Sequence, residues 1–156
     1  MARILEILTV NVAVKDLDAG LARYKALGLD HIRPMVMPEL PAAITDVTFP
    51  IGAQGSISVI AAMGDKSPVN RFIEKRGEGV YSIAVRVDDL KACMAEWSKS
   101  GFQWVLPEPY EFPTPNQAAR HLPDKLRVNW IKPGSLFGVM LEVFEFVGEV
   151  RETPKT

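Results

Sequence analysis

The chain has 156 residues, of which 47% are hydrophobic and 24% charged, and its formal net charge is −1. These values are typical of one soluble globular domain, and the near-neutral charge excludes a strongly basic nucleic-acid-binding surface. The apolar runs are too short to cross a bilayer, and the single Cys93 cannot form an internal disulfide bond. We therefore expect a cytoplasmic protein with no membrane or nucleic-acid partner.

The first half of the chain predicts one strand, one helix and three further strands. Residues 5–14 alternate between apolar and polar types, which is the pattern of a strand. Asp16 or Asp18 then caps a helix that ends near Gly28. The three further strands are predicted at residues 32–37, 45–50 and 56–62.

A linker helix and a second group of elements follow. The linker helix begins at Ser67-Pro68, where proline fits the first helical position, and ends at Gly77 or Gly79. The second group is predicted as a strand at 80–87, a helix at 90–99, a strand at 103–106, an irregular proline-rich segment at 107–126, and strands at 127–132 and 138–146.

An internal repeat relates the two halves. Residues 9–28 read TVNVAVKDLDAGLARYKALG and residues 82–101 read SIAVRVDDLKACMAEWSKSG, so that Asp16 corresponds to Asp89 and Gly28 to Gly101. A repeated half-domain usually pairs with its copy and leaves a ligand groove between the two. The order β-α-β-β-β in each half predicts an α+β fold with a mostly antiparallel sheet. We expect a single domain over residues 1–156. Its parts are module one at 5–62, a linker helix at 66–77, module two at 80–147 and a loose tail at 150–156.

Three segments carry a resemblance to a known family. They are VAVKDLD (12–18), FIEKRGEGVYSIAVRVDDL (72–90) and RVNWIKPGSLFGVMLEV (127–143). Together with the repeat they resemble the vicinal oxygen chelate superfamily, which includes glyoxalase I, extradiol dioxygenases, methylmalonyl-CoA epimerase and bleomycin-resistance proteins. The epimerase-like branch is the most similar. The resemblance implies two paired βαβββ modules, a half-barrel sheet around a shared cavity, and a homodimer.

The resemblance also implies four metal ligands, two in each module. Their positions fall on Thr9, Ser58, Ser82 and Glu142. Three of these residues carry neutral hydroxyl groups, which are poor ligands for first-row divalent metals. We therefore expect no bound divalent metal and no other cofactor.

Two carboxylates are the predicted catalytic groups, again from the resemblance. Glu142 shares one face of the last strand with Met140 and Phe144, and the resemblance favours the register in which this face points inward. Glu142 is predicted as the principal acid–base group. Asp46 falls on the family's acid–base position in the first module. The alternative for Asp46 is a residue that only begins a strand at a turn, and the sequence leaves both interpretations open.

The remaining predicted site residues would donate hydrogen bonds, line the cavity, or act on the ligand through an ionisable side chain. Thr9, Asn11 and the two serines would donate to a developing oxyanion. His121 is a possible acid or base on a loop and Lys132 a possible phosphate contact, and for each the alternative is an ordinary solvated side chain. The predicted substrate-binding set is Thr9, Asn11, Ser58, Ser82, Met140, Trp130, His121 and Lys132. The aromatic residues expected to line or cover the cavity are Trp104, Tyr110, Phe112 and Trp130.

These predictions favour a metal-independent isomerase, epimerase or lyase that uses carboxylate acid–base chemistry on a carbonyl or acyl-thioester compound. The alternative is a non-catalytic small-molecule binding protein of the bleomycin-resistance type. A divalent-metal glyoxalase or dioxygenase is disfavoured by the hydroxyl residues at the ligand positions. The expected partners are a small molecule, either an acyl-CoA or an aromatic metabolite, and a second copy of the chain.

Overall fold

The computed structural model describes residues 2–32, 34–39, 41–53, 55–114 and 123–150. The chain divides into two compact units. The first unit is Thr9–Tyr81, and the second unit is Met1–Leu8 together with Ser82–Thr156. Among the helices that the structure describes, none is long and apolar enough to cross a membrane.

Eleven helices and strands are found in the described residues. In chain order they are β1 Ile4–Ala13, α1 Leu17–Lys25, β2 Met35–Met37, β3 Ile44–Ile51, β4 Gly55–Ala62, α2 Pro68–Arg76, β5 Gly79–Val87, α3 Leu90–Lys99, β6 Tyr110–Pro113, β7 Lys125–Ile131 and β8 Leu141–Val147. A short 3-10 turn, Pro133–Ser135, lies between β7 and β8.

The sheet of the first unit has the strand order β2-β3-β4-β1, with β1 parallel to β4 and the other two pairs antiparallel. Helix α1 packs on one face of this sheet, where Val47, Phe49 and Val59 are fully buried. Gly20 permits this close packing, because a Cβ atom there would lie 2.8 Å from Cγ1 of Val59. The Asp16 side chain accepts from the backbone N–H of Ala19, which makes Asp16 the N-cap of α1.

The opposite face of the same sheet is divided between an apolar and a polar part. Helix α2 covers the apolar part, where Ala13, Ile60 and Val69 form a buried cluster. Ser67 caps α2 and Gly77 ends it, as predicted for this linker helix. The polar part of this face contains the residues of the candidate site.

The second unit repeats the arrangement with the strand order β5-β8-β7-β6, in which β5 and β8 are parallel and the other pairs antiparallel. Helix α3 packs Leu90 and Cys93 against Val85, Val87 and Val143. Burial, assisted by the nearby carboxylates of Asp89 and Glu96, raises the pKa of the Cys93 thiol to about 11. Cys93 is therefore a packing residue and not a reactive thiolate.

Arg127 and Glu145 hold the start of α3 in place. Glu145 Oε2 accepts from the backbone N–H of Leu90 at 2.9 Å, and its Oε1 accepts from Arg127 Nη1 at 2.9 Å. Arg127 Nε also donates to Glu111 at 2.7 Å. A carboxylate at a helix N-terminus satisfies backbone donors and interacts favourably with the helix dipole.

The α+β class, the mostly antiparallel pairing and the β-α-β-β-β order of each half are confirmed. The predicted strand at 103–106 is wrong, because only Trp104 makes an isolated bridge there, with Ile131. The strand is instead β6, inside the proline-rich segment that was predicted to be irregular. β6 ends the strand order and Pro113 is its last residue, which is a position where proline is tolerated.

Candidate functional site

The polar part of the first unit's sheet brings together residues from three strands. Asp46 and Thr48 are two residues apart on β3 and therefore point to the same face. Thr48 lies opposite Ser58 on β4, and Ser58 lies beside Asn11 on β1. Ser58 and Asn11 are 1% and 7% exposed, so this polar group is largely withdrawn from solvent.

The side chains of these strands form a continuous chain of hydrogen bonds. Thr48 Oγ1 donates to Asp46 Oδ1 at 2.9 Å and lies 2.9 Å from Ser58 Oγ. Ser58 Oγ lies 3.0 Å from Thr9 Oγ1, which also lies 3.2 Å from the carbonyl oxygen of Ser56. We call Thr9, Ser58 and Thr48, which end on the carboxyl group of Asp46, the hydroxyl chain.

Asp46 is the titratable centre of this site. Its side chain is 8% exposed, and burial raises its pKa from the ordinary 3.8 to about 6, while the hydrogen bonds from Thr48 and Ser58 oppose part of that rise. The structure places Asp46 as the third residue of β3 and not at a turn. A carboxyl group with a pKa near 6 can both accept and return a proton close to neutral pH.

Glu142, the other predicted catalytic carboxylate, lies in the second unit. It is half-buried on β8, opposite Trp130 on β7, and Ser82 Oγ donates to its Oε2 at 3.4 Å. Val143, the next residue, is fully buried in the cluster beneath α3. Because successive strand residues point to opposite faces, Glu142 lies on the face of this sheet that α3 does not cover.

Aromatic residues share that face of the second unit. Trp130 faces Glu142, and the rings of Tyr110 and Phe112 stack with centroids 5.7 Å apart. The position of Trp104 differs from the expectation that it lines a cavity. Trp104 stacks on Trp97 of α3 at 6.0 Å and belongs to the core cluster, because its bridge to Ile131 turns it toward the helix.

Three other predicted residues remain to be located. Met140 is half-buried just before β8, and its carbonyl oxygen accepts from the N–H of Ile83 at 3.1 Å. Lys132 is exposed and precedes the 3-10 turn. His121 lies outside the described residues.

Thr48, which connects Asp46 to Ser58, was not among the predicted site residues. The available signal was its spacing of two from Asp46 in a predicted strand, which places both side chains on one face. Threonine is so common in strands that this spacing alone does not indicate a site.

The residues at the family's metal-ligand positions do not fit a divalent cation. In the first unit these positions hold Thr9 and Ser58, two neutral hydroxyls that hydrogen-bond each other. Among the residues that the structure describes, no group of three or more His, Cys, Asp and Glu side chains is close enough to hold a metal ion.

The family model for the glyoxalase/bleomycin resistance protein/dioxygenase superfamily matches residues 10–119, and the chain belongs to this superfamily. Its structure is similar to that of methylmalonyl-CoA epimerase from Mycobacterium tuberculosis, with 25% sequence identity, a TM-score of 0.76, and coverage of 92% of this chain and 89% of that chain. No curated protein matches the chain.

Two further solved structures share the fold. A hypothetical protein from Bacillus halodurans C-125 is 24% identical with a TM-score of 0.76, over 97% of this chain and 98% of that chain. A variant of methylmalonyl-CoA epimerase from Streptomyces coelicolor, in complex with 2-nitronate-propionyl-CoA, is 22% identical with a TM-score of 0.77, over 94% of this chain and 100% of that chain.

Proposed function

We propose that the protein is an epimerase-type enzyme that moves a proton at a carbon atom next to a carbonyl group, with Asp46 as an acid–base residue. One observation carries this proposal: Asp46 is a buried carboxyl group whose pKa is raised to about 6 and whose ionised form is hydrogen-bonded by Thr48. A perturbed carboxyl group among convergent polar side chains is a common feature of catalytic sites.

In this reaction the ionised Asp46 takes the proton as the substrate C–H bond breaks, and the electron pair moves onto the carbonyl oxygen. Return of a proton to the opposite face of the same carbon inverts its configuration, and return elsewhere gives an isomer. A base with a pKa near 6 is ionised at neutral pH and is a stronger proton acceptor than an ordinary aspartate. Hydrogen-bond donors stabilise the charge that develops on the oxygen, and Asn11 lies on the same face as Asp46.

Glu142 is proposed as a second acid–base residue. Its support is the family resemblance of β8 and its position beside Ser82 and Trp130 on the face that α3 leaves open.

The proposed substrate class is a carbonyl compound or acyl thioester, with acyl-CoA esters as the first candidates. The similarity to the Mycobacterium tuberculosis epimerase supports this choice. The complex of the Streptomyces coelicolor relative with 2-nitronate-propionyl-CoA suggests testing short branched acyl-CoA esters first. Lys132, exposed after β7, is a proposed contact for a phosphate group of such a substrate.

The test is deuterium exchange. Each acyl-CoA is incubated with the protein in D₂O, and incorporation at the carbon next to the carbonyl group is followed by NMR. We expect Asp46→Asn to lower the exchange rate about 10²-fold or more, the usual scale for loss of a general base, and Glu142→Gln to have an effect of similar direction. In the wild type the rate should rise with pH through about 6.

Matched controls remove an exposed carboxylate. Asp30→Asn and Glu149→Gln, both at exposed positions, should leave exchange unchanged. Wild-type activity in Asp46→Asn on a confirmed substrate would exclude Asp46 as the acid–base residue, and the same result in Glu142→Gln would exclude Glu142.

Metal independence is part of the proposal. We expect exchange to persist after chelation, and elemental analysis of the purified protein to find no stoichiometric zinc, nickel, cobalt or manganese. The reason is the hydroxyl side chains at the family's ligand positions. About one such ion per chain, retained after mild chelation, would refute this part.

A non-catalytic binding protein is the second candidate, and the aromatic face of the second unit favours it. Trp130, Phe144 and the stacked pair Tyr110 and Phe112 offer a surface for a flat organic ligand. In that case Glu142→Gln changes ligand affinity, and no exchange is found with any carbonyl substrate. A cytoplasmic homodimer is proposed for either function, and a monomer in sedimentation at micromolar concentration would contradict the dimer.

A further inference from the structure

The hydroxyl chain is constrained by the number of protons that it holds. Each serine or threonine hydroxyl carries one proton and can donate only one hydrogen bond, although it can accept others. The direction in which one hydroxyl of the chain donates therefore limits the directions open to its neighbours. The contacts are short throughout, from 2.9 Å at Thr48 to 3.0 Å between Ser58 and Thr9.

When Asp46 is ionised, its carboxylate can only accept. Thr48 then gives its proton to Asp46, and Ser58 gives its proton either to Thr48 or directly to Asp46, to which it is also hydrogen-bonded. The proton of Ser58 is then used, and Thr9 must donate in the contact with Ser58. All three hydroxyls point toward the charge.

When Asp46 is protonated, the opposite direction becomes available. The carboxyl O–H can donate to Thr48, Thr48 to Ser58, and Ser58 to Thr9. Thr9 then donates to the carbonyl oxygen of Ser56, which lies 3.2 Å away. This second acceptor at the far end gives the reversed chain a place to end.

We propose that Thr9 is a positioning residue for Asp46: through Ser58 and Thr48 its hydroxyl stabilises the ionised carboxylate, and its proton turns to the Ser56 carbonyl when Asp46 accepts a proton. The effect on the Asp46 carboxyl group follows from the geometry alone, whereas any effect on turnover rests on the proposed function. Hydrogen bonds in series polarise one another, and burial removes the water that would otherwise compete.

Among the described residues, the two strand partners of Asp46 carry no charge. Met35 on β2 and Ile60 on β4 lie opposite Asp46 in the two neighbouring strands, and both are uncharged. Helix α2 packs beside β4, and its charged residues are exposed. They are Arg71, Glu74, Lys75 and Arg76.

The test follows the carboxyl carbon of Asp46 by ¹³C NMR as the pH is changed, with no substrate present. Ser58→Ala should raise the Asp46 pKa by about 1, the scale expected for loss of a donor close to a buried charge. Thr9→Val keeps the shape of the side chain but removes the hydroxyl. It should raise the Asp46 pKa by about 0.3, because the Thr9 hydroxyl acts on the carboxylate only through the other hydroxyls of the chain. Thr9→Ser should restore the wild-type titration.

Thr45→Val is the matched control, because Thr45 is the neighbouring residue on β3 and points to the opposite face. It should leave the Asp46 titration unchanged. A wild-type titration in Thr9→Val, with folding verified by denaturant unfolding, would overturn the proposed role of Thr9 whether or not Ser58→Ala shifts the titration. This result does not depend on activity. Loss of deuterium exchange in every assay, with the titration shifts present, would overturn the proposed function and leave the role of Thr9 standing.

Discussion

Replacement of Asp46 by asparagine should stabilise the protein at neutral pH. Burial raises the Asp46 pKa from 3.8 to about 6, so the folded state holds this proton more tightly than the unfolded state. Between about pH 4 and 6 the unfolded chain has released a proton that the folded chain still carries. The free energy of unfolding therefore falls as the pH rises through this window, and the stabilisation is present only below it.

The magnitude follows from the two pKa values. One pKa unit corresponds to 1.36 kcal/mol, so the rise to about 6 corresponds to about 3 kcal/mol between pH 3.5 and pH 7.5. Asparagine has nearly the same shape and can still accept from Thr48, but it carries no charge at any of these pH values. The Asn variant should gain about 3 kcal/mol relative to wild type as the pH rises across that range.

The assay is urea unfolding followed by tryptophan fluorescence at several pH values between 3.5 and 7.5. The informative quantity is the change with pH in the difference between variant and wild type, because any constant effect of the substitution cancels. Asp30→Asn, at an exposed position, should show a difference that hardly changes with pH. Parallel curves for Asp46→Asn and wild type would refute the argument that burial perturbs Asp46.

Three further substitutions test the packing. Gly20→Ala should destabilise the protein by about 1–2 kcal/mol in urea unfolding, because the new Cβ atom would lie 2.8 Å from Val59 Cγ1. Gly134→Ala is the control and should not destabilise it, because a Cβ atom there would have nothing within 4 Å. A stabilised Gly20→Ala variant would contradict the close approach of α1 to the sheet. Phe137→Gly should increase the free energy of unfolding by about 0.5 kcal/mol and so raise the melting temperature, because Phe137 has a φ of +50° and a fully exposed side chain. A lower melting temperature would show that the ring is packed. Cys93→Ser should cost about 2 kcal/mol by burying a hydroxyl beneath α3, and rapid labelling of native Cys93 by a thiol reagent would contradict its burial.

The hydroxyl chain explains how a polar group can remain in this part of the sheet without a cation. An imidazole or carboxylate ligand needs a positive partner when it is buried, whereas Thr9 and Ser58 satisfy each other. The charge of Asp46 is then the only full charge in the chain of contacts, and three oriented hydroxyls stand beside it.

Features formed by residues that are close along the chain could be predicted from the amino-acid sequence. The repeat predicted an aspartate cap for the helix of each half, with Asp16 and Asp18 as alternatives in the first. A cap forms within three residues of its partner N–H, and Asp16 and its counterpart Asp89 both accept such bonds. The repeat around them predicted two β-α-β-β-β halves, which the structure confirms. For Asp46 the family resemblance implied an acid–base position, and the sequence also left open a residue that only begins a strand at a turn.

Which strands are neighbours, and in what register they pair, could not be predicted and is seen only in the folded chain. The pairing of β1 with β4 joins residues almost fifty positions apart, and it is this pairing that brings Thr9 to Ser58 and completes the hydroxyl chain. The raised pKa of Asp46, the strand β6 in a proline-rich segment and the stacking of Trp104 on Trp97 have the same origin. Alternation fixes the face to which a side chain points, but the partner across that face depends on long-range pairing, which a local pattern does not contain.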